Sequence, residues 1–422
     1  MPENSSGPPI VTISRRGAER IRSGHVWVYR SDIIEAKDIP PGALVTVSEE
    51  RGGRGRPPHT RILGTALYSS ASEIALRMIS ARPVEDIKQL VRERIRAAIA
   101  YRERFVQNTN AYRVIFSEGD FLPGLIVDRY NDLLSVQVLT QAMHSPAMRE
   151  IFIDELKPAL QPKTIVERVD ARVRKLEQLE ERGSGILWTN SNPAGDSEQN
   201  VAENGIPVPT HVEPEFHMNG VRFLFDALSG QKTGAFLDQR ENYAAAAQYA
   251  RGEALDVFCY QGGFALHLAE KCEAVTGVDS SRPALEMAER NAALNGREIE
   301  WIEANAFDLL RDYSDAGKKY DCIVLDPPAF AKSKRELPTA LRGYKEVNLR
   351  ALKMLRPGGI LISCSCSYHV SASNLLEAIS SAALDSHRII RILENRGQAK
   401  DHPSVLRIPE TAYLKCLVFC VS

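Results

Sequence analysis

The residues best suited to chemistry lie in the second half of the chain, where glycines and acids follow short apolar runs. Glu253–Gly263 reads Glu-Ala-Leu-Asp-Val-Phe-Cys-Tyr-Gln-Gly-Gly. Its apolar run Ala254–Phe258 predicts a buried strand, Gly262 and Gly263 a tight turn, and Phe264, Leu266 and Leu268 a helix. Backbone N–H groups and the positive end of a helix dipole meet at such a turn, so a ligand can approach the backbone closely. Only two glycines are present, so this is not the Gly-x-Gly-x-x-Gly of dinucleotide sites. A second run, Ala274–Val278, ends at Asp279, where a ribose diol is usually gripped. Asp279 fits equally well as a charge at a helix N-terminus, because Ser280-Ser281-Arg282-Pro283 opens a helix running to Asn295-Gly296. A third run, from Tyr320, ends in Asp326-Pro-Pro, and the two prolines stiffen the chain that leaves it. Three strands ending in acids or glycines point to a ligand crevice at the carboxyl end of an open α/β sheet.

Elements elsewhere must support that crevice. With 422 residues the chain has room for roughly three domains. Its 44% hydrophobic and 25% charged composition is that of a globular protein. No run approaches the ~18 apolar residues of a membrane span, and the polar start, Met1–Pro9, gives no signal-peptide pattern. Seven cysteines, all from Cys259 onward, lack Cys-x-x-Cys spacing. That reads as free thiols in a reducing, cytoplasmic setting, with no metal site. Residues 1–110 carry 18 Lys/Arg and 12 Asp/Glu, while the remainder balances to −7. A basic front half suits a polyanion, or is simply a solvated charged face.

Ile10–Ser80 reads as a small β domain with a short helix at Ala18–Arg22 and a basic loop, Arg51–His59, that includes Arg54 and Arg56. Trp27 and Tyr29 could stack on bases or pack into the core. Glu85–Phe105 predicts a helix with a basic face of Arg92, Arg96, Arg102 and Arg104. Tyr112–Glu181 reads as a small α+β spacer without a catalytic constellation. Thr189–Pro214 has linker composition. A hairpin follows, with Asn219-Gly220 as a type I′ turn. The string Gly230–Arg240 is too polar for core and too specific for a linker. Expected domains are 8–82, 83–204 and 205–422.

The order strand-Gly-Gly, strand-Asp279, strand-Asp326-Pro-Pro, strand-Cys366 resembles a class I S-adenosylmethionine-dependent methyltransferase. Gln231–Arg240, Phe258–Phe264, Asp326–Phe330, Ser365–Ser367 and Asp401–Pro403 are similar to a narrower family. These are the RlmI-like cytosine-C5 methyltransferases of large-subunit ribosomal RNA. Gly24–Ile33, with Arg16 and Arg20 before it, resembles the PUA domain that opens such proteins. The resemblance implies an α/β fold: a Rossmann-like, mostly parallel sheet preceded by a small β PUA domain and a small central α+β domain. It also implies S-adenosylmethionine as cofactor and ribosomal RNA as partner, with no membrane. It leaves a homodimer open.

Carried over residue by residue, Gln231, Thr233, Asp238, Arg240, Phe258, Tyr260, Gly262 and Gly263 would line the methionine end of the cofactor. Arg240 would meet its carboxylate, Asp279 would take the ribose, and Asn305, where many relatives have Asp, would face adenine. C5 of cytosine is a poor nucleophile until a thiolate adds at C6. Cys366 falls at the family's nucleophile position, and Asp326, also beside the cofactor, would hold or protonate N3. A cation must lower the thiol's pKa, and the sequence does not say which. Ala329 replaces the second cysteine of some RNA cytosine-C5 enzymes, so His369 and His402 are candidates for the base that takes the C5 proton. RNA contacts are expected from Arg16, Arg20, His25, Trp27, Arg30, Arg54 and Arg56. Two rival readings stand: methylation of a base nitrogen, since Asp-Pro-Pro-x-Phe resembles an amino-methylator motif, and a non-catalytic RNA-binding assembly factor.

Overall fold

The computed structural model describes residues 7–51, 59–190, 212–228 and 235–422. Its largest sheet has seven strands. In spatial order they are Glu300–Glu303, Ala274–Asp279, Glu253–Val257, Tyr320–Leu325, Leu355–Ser365, Lys415–Val421 and Ile390–Arg396. The first five pair in parallel, and Lys415–Val421 runs antiparallel to both of its neighbours. A parallel sheet needs cover on both faces, so its strands are apolar throughout rather than alternating. Period two then divides each strand between two cores. Ala254, Val324, Ile362 and Cys364 face one, with Phe264 and Leu266. Leu255, Val257, Ile323, Leu325 and Leu361 face the other, with Tyr344 and Ala351.

The strand order reverses direction at Glu253–Val257, whose neighbours are the next strand on one side and the fourth on the other. That is the switch point at which ligands enter open α/β sheets. The hairpin Glu215–Met218 and Val221–Leu224 has Asn219 at φ 54° and Gly220 at φ 87°, the turn its Asn-Gly sequence calls for. Ile390–Arg396 is a strand the sequence does not announce. It lies at the sheet edge with Ile392 and Leu393 exposed, so it shows no apolar alternation.

Two further sheets precede this one. The six-stranded front sheet runs Trp27–Tyr29, Ile74–Ser80, His59–Tyr68, Leu44–Arg51, Ile10–Ile13, Ile33–Glu35. The five-stranded middle sheet spans Ala111–Phe116 to Gly185–Thr189. The helices Ile87–Phe105 and Pro146–Leu160 pack on the middle sheet through Ile95, Ile99, Phe152 and Leu156.

The first of these helices keeps Arg96 and Arg104 of its expected basic face exposed, but Arg102 is not part of that face. Arg92 and Arg96 both reach Glu155 on the second helix. Arg102 is 1% exposed and donates to Asp120, to the carbonyl of Arg113 and to the carbonyl of Asp401 in the last domain.

Candidate functional site

The site forms where three adjacent strands end. Val257 pairs with Leu325, and Leu325 with Ser363. The Phe258–Gly263 turn, Asp326 and the Ser365–Cys366 segment therefore leave the sheet side by side.

The turn is tightly prescribed. Phe258, Tyr260 and Gly262 all have left-handed backbones, at φ 67°, 49° and 84°. A β-carbon on Gly262 would come within 2.8 Å of the Trp301 ring, so only glycine fits that position. Amides of Phe258 and Cys259 donate to the carbonyl of Val278, tying the turn to the second strand. Asp279 completes the tie: its two oxygens accept from the amides of Tyr260 and Ser281, each at 2.9 Å. Each carboxylate oxygen can accept again, so a diol still has acceptors there. Asn305 caps the helix Ala306–Asp315 with its carbonyl oxygen, and its exposed NH2 stays available.

Asp326 accepts from the Gln239 side-chain amide at 2.9 Å. Gln239 is held in turn by Asn242, at 2.7 Å. Asp238 accepts the Tyr413 hydroxyl at 2.6 Å, and Phe236 sets its ring edge-on to Tyr260 at 5.0 Å. The Pro-Pro segment is fastened to the next strand end, where the amide of Ala331 donates to Ser367 Oγ. The Tyr344 hydroxyl bonds Ser365 and Ser367 at 2.8 and 3.1 Å, gripping the residues on either side of Cys366. Cys366 is partly exposed, whereas Cys364, two residues earlier, is fully buried. Burial pushes the Cys364 thiol well up, so it stays protonated.

Asp256 was not anticipated as a site residue. It sits at the end of the first strand, fully buried, with one oxygen on the Ala265 amide at 2.8 Å. The other oxygen has no hydrogen-bond partner among the described residues. Burial drives this carboxyl up to about 8.

Several expectations change. Arg240 is 1% exposed, and its two terminal nitrogens are both committed to Asp401, at 3.0 Å each. So enclosed a guanidinium is a strut between segments, not a partner for a cofactor carboxylate. Burial pushes Asp401 up, but the charges of His402 and Arg240 more than offset this and hold it below the usual carboxylate range. His402 is itself interior, packed on Phe116 with ring centroids 5.3 Å apart, which removes it as a base at the site. His369 is half-buried against Tyr368.

The front-domain candidates are corrected too. Arg16 and Arg20 converge on the buried Asp32, Arg20 at 2.7 Å. Trp27 donates to Glu118 of the middle domain at 3.0 Å, and His25 pairs with Glu410 of the last domain at 3.0 Å. Arg30 donates three times to the carbonyls of Ser69 and Ser72. Among the described members of this set, only Arg16, 67% exposed, keeps a largely open side chain. Gln231, Thr233, Arg54 and Arg56 lie outside the described residues. Among the described residues no cluster of His, Cys, Asp and Glu could hold a metal, and no helix is long and apolar enough to cross a membrane.

Comparison with known proteins adds the decisive observation. Residues 202–420 match the family model of S-adenosylmethionine-dependent methyltransferases, and residues 11–81 match a PUA-like domain. The chain belongs to this methyltransferase family. Its similarity to whole proteins is as broad. It is 36% identical over 403 residues to the ribosomal RNA large subunit methyltransferase I of Tolumonas auensis, covering 93% of this chain and 94% of that one. The protein of the same description from Photobacterium profundum is 34% identical, covering 95% and 96%. Among solved structures, a methyltransferase complexed with SAH superposes with a TM-score of 0.78 at 17% identity, covering 98% of this chain and 100% of the other. A SAM-dependent methyltransferase from Streptococcus mutans gives 0.76 at the same identity and coverage. At that identity the structures speak for the fold, a class I methyltransferase sheet behind a PUA-like domain.

The residues present fit the cofactor this family uses. The left-handed turn leaves the sheet at this strand end, Asp279 has acceptors for a ribose, and Asn305 has a donor for a purine edge. The half-buried rings of Phe258 and Tyr260 line the same strand ends.

Proposed function

We propose that this methyltransferase acts on C5 of a cytosine in large-subunit ribosomal RNA, through a covalent bond from Cys366 to C6. The observation that carries the reading is the partly exposed thiol of Cys366 beside Asp326, at the ends of neighbouring strands, with Tyr344 fixing both flanking serines. Bound S-adenosylmethionine supplies a methyl group made electrophilic by its sulfonium. The chain's own residues prepare the base. Asp326, oriented by Gln239, gives a proton to N3 as the thiolate adds and so neutralises the charge that builds on the ring. The Cys366 thiolate adds to C6 and makes C5 enamine-like, able to take the methyl. A base, for which His369 in the loop after Cys366 is the remaining candidate, takes the C5 proton; the thiolate leaves C6, N3 returns its proton to Asp326, and the aromatic ring is restored.

Asp279 holds the ribose, Asn305 the adenine edge, and Phe258, Tyr260, Gly262, Gly263 and Asp238 the methionine end, together with Gln231 and Thr233. Ribosomal RNA enters as substrate from the names of relatives that match nearly the whole chain. The test is turnover of Cys366→Ser with labelled cofactor and ribosomal RNA, scored as 5-methylcytosine. Loss by on the order of 10³-fold or more supports the thiol route. Undiminished formation of 5-methylcytosine removes it, and a methylated base nitrogen as product restores the rival reading.

A further inference from the structure

A nucleophilic thiol needs a cation, because a free cysteine is only a few per cent thiolate near neutrality. The structure offers one on the strand beside it. Lys415 opens the antiparallel strand Lys415–Val421 and pairs across the ladder with Ser365, the residue before Cys366. Its ammonium does not run out to solvent. It folds back over the strand end and donates to the carbonyl of Ser367, the residue after Cys366, at 2.7 Å, and to that of Tyr413 at 2.8 Å. An ammonium has three donors, so two neutral carbonyls hold it in place and leave one N–H and a full charge. Cys366 is thus bracketed on both sides by residues that Lys415 touches.

We propose that Lys415 is the positioning residue that keeps the Cys366 thiol ionised, an inference that rests on Cys366 being the nucleophile. The groups set against this loop are Lys415 from the antiparallel strand, Asp326 from the parallel neighbour, Tyr344 from the helix Leu337–Met354, Tyr368 and His369 from the loop itself, and Glu410 bonded to Tyr368. Asp326 disfavours a thiolate, Tyr344 is a neutral phenol, and Lys415 supplies the opposing charge. Burial lowers the lysine to about 8, and the charge of Cys366 acts the other way. It is therefore mostly protonated at pH 7, and the two groups favour each other's charged form. The carbonyl bonds matter for catalysis as well as placement. When the thiolate adds to C6 its charge leaves the sulfur, and a cation anchored to the backbone does not have to follow it.

The experiment is the pH profile of Cys366 alkylation by iodoacetamide in the full-length protein, read by mass spectrometry of the peptide that carries it. In the native chain the midpoint lies below the ~8.5 of a free thiol. In Lys415→Met it rises by about one pH unit or more, and in Lys415→Arg it stays close to the native value. Turnover of Lys415→Met at pH 7 falls about tenfold and recovers as pH rises, while binding of S-adenosylhomocysteine is unchanged. A merely structural lysine would not give a rate that alkali restores. Coincident midpoints for the native and Lys415→Met proteins overturn the proposal. So does a native midpoint at or above ~8.5, which needs no variant to fold. The nucleophile reading fails separately, by full activity in Cys366→Ser.

Discussion

The front sheet and the crevice of the large sheet both present polar and aromatic side chains that read as functional in the sequence, and the fold treats them oppositely. In the front domain the cations and the tryptophan are taken up by protein partners, some of them in other domains. Trp27 reaches Glu118, His25 reaches Glu410, and Arg20 reaches Asp32. In the crevice, Asp279 and Asn305 are fixed by hydrogen bonds that leave part of each group open to a ligand, and Asp326 is held by Gln239. Residue type alone does not separate the two cases. What separates them is where the chain stops: crevice groups sit at strand ends, where the ladder no longer satisfies the backbone and a ligand can.

The sharpest way to break this comparison is at the buried strut inside the last domain. Asp401→Asn leaves the buried Arg240 guanidinium without its counter-charge and should cost about 3–5 kcal/mol, read as a lowered denaturation midpoint. A loss of cofactor affinity with unchanged stability would return Arg240 to the ligand site.

Asp256 gives the next effect, and its sign is opposite. Its folded pKa, about 8, lies above the unfolded value, so its contribution to stability is fully present at acid pH and is lost as pH rises towards 8. Asp256→Asn keeps the acceptor for Ala265 and removes the charge. It should flatten the decline of melting temperature between about pH 4 and pH 8, and gain about 1–3 kcal/mol at the alkaline end. An unchanged pH profile would mean that the carboxyl is not held in its acid form.

Asp279→Ala tests the crevice side. Loss of a charged acceptor for a diol should weaken S-adenosylhomocysteine by about 1.5–3 kcal/mol, or roughly 10–100-fold, measured by calorimetry. The mutation also frees the Tyr260 amide, so the melting temperature is read alongside.

The smallest effects belong to the front domain. Trp27→Phe keeps the ring and drops the bond to Glu118, and should cost about 1 kcal/mol of stability. If instead it lowers RNA affinity by that amount with stability intact, the front-domain correction is wrong.

These two regions also mark what the sequence could disclose. The glycine turn, Asp279 and Asp326 were legible because each belongs to a strand and the few residues after it. The Asn-Gly hairpin was legible for the same reason. Gln239 and Lys415 meet their partners across the fold, and Asp256 shows its character only through burial, so residue type alone does not mark them. Arg240 shows the hazard most plainly. It ends the polar string that resembles a cofactor loop, yet its partner Asp401 lies 161 residues on. The edge strand Ile390–Arg396 escaped because an exposed edge has no core to impose alternation. The large sheet itself was recoverable, since strands buried on both faces must be apolar throughout.

One measurement bears on the centre of the account. Ribosomal RNA carrying 5-fluorocytidine has no C5 proton to lose, so a thiol added at C6 stays attached once the methyl has moved. Incubated with this RNA and S-adenosylmethionine, the protein should form a covalent complex whose digest carries a methylated fluoropyrimidine on Cys366, and Cys366→Ser should form none. An adduct on another cysteine, or none while native RNA is still converted to 5-methylcytosine, would contradict the account.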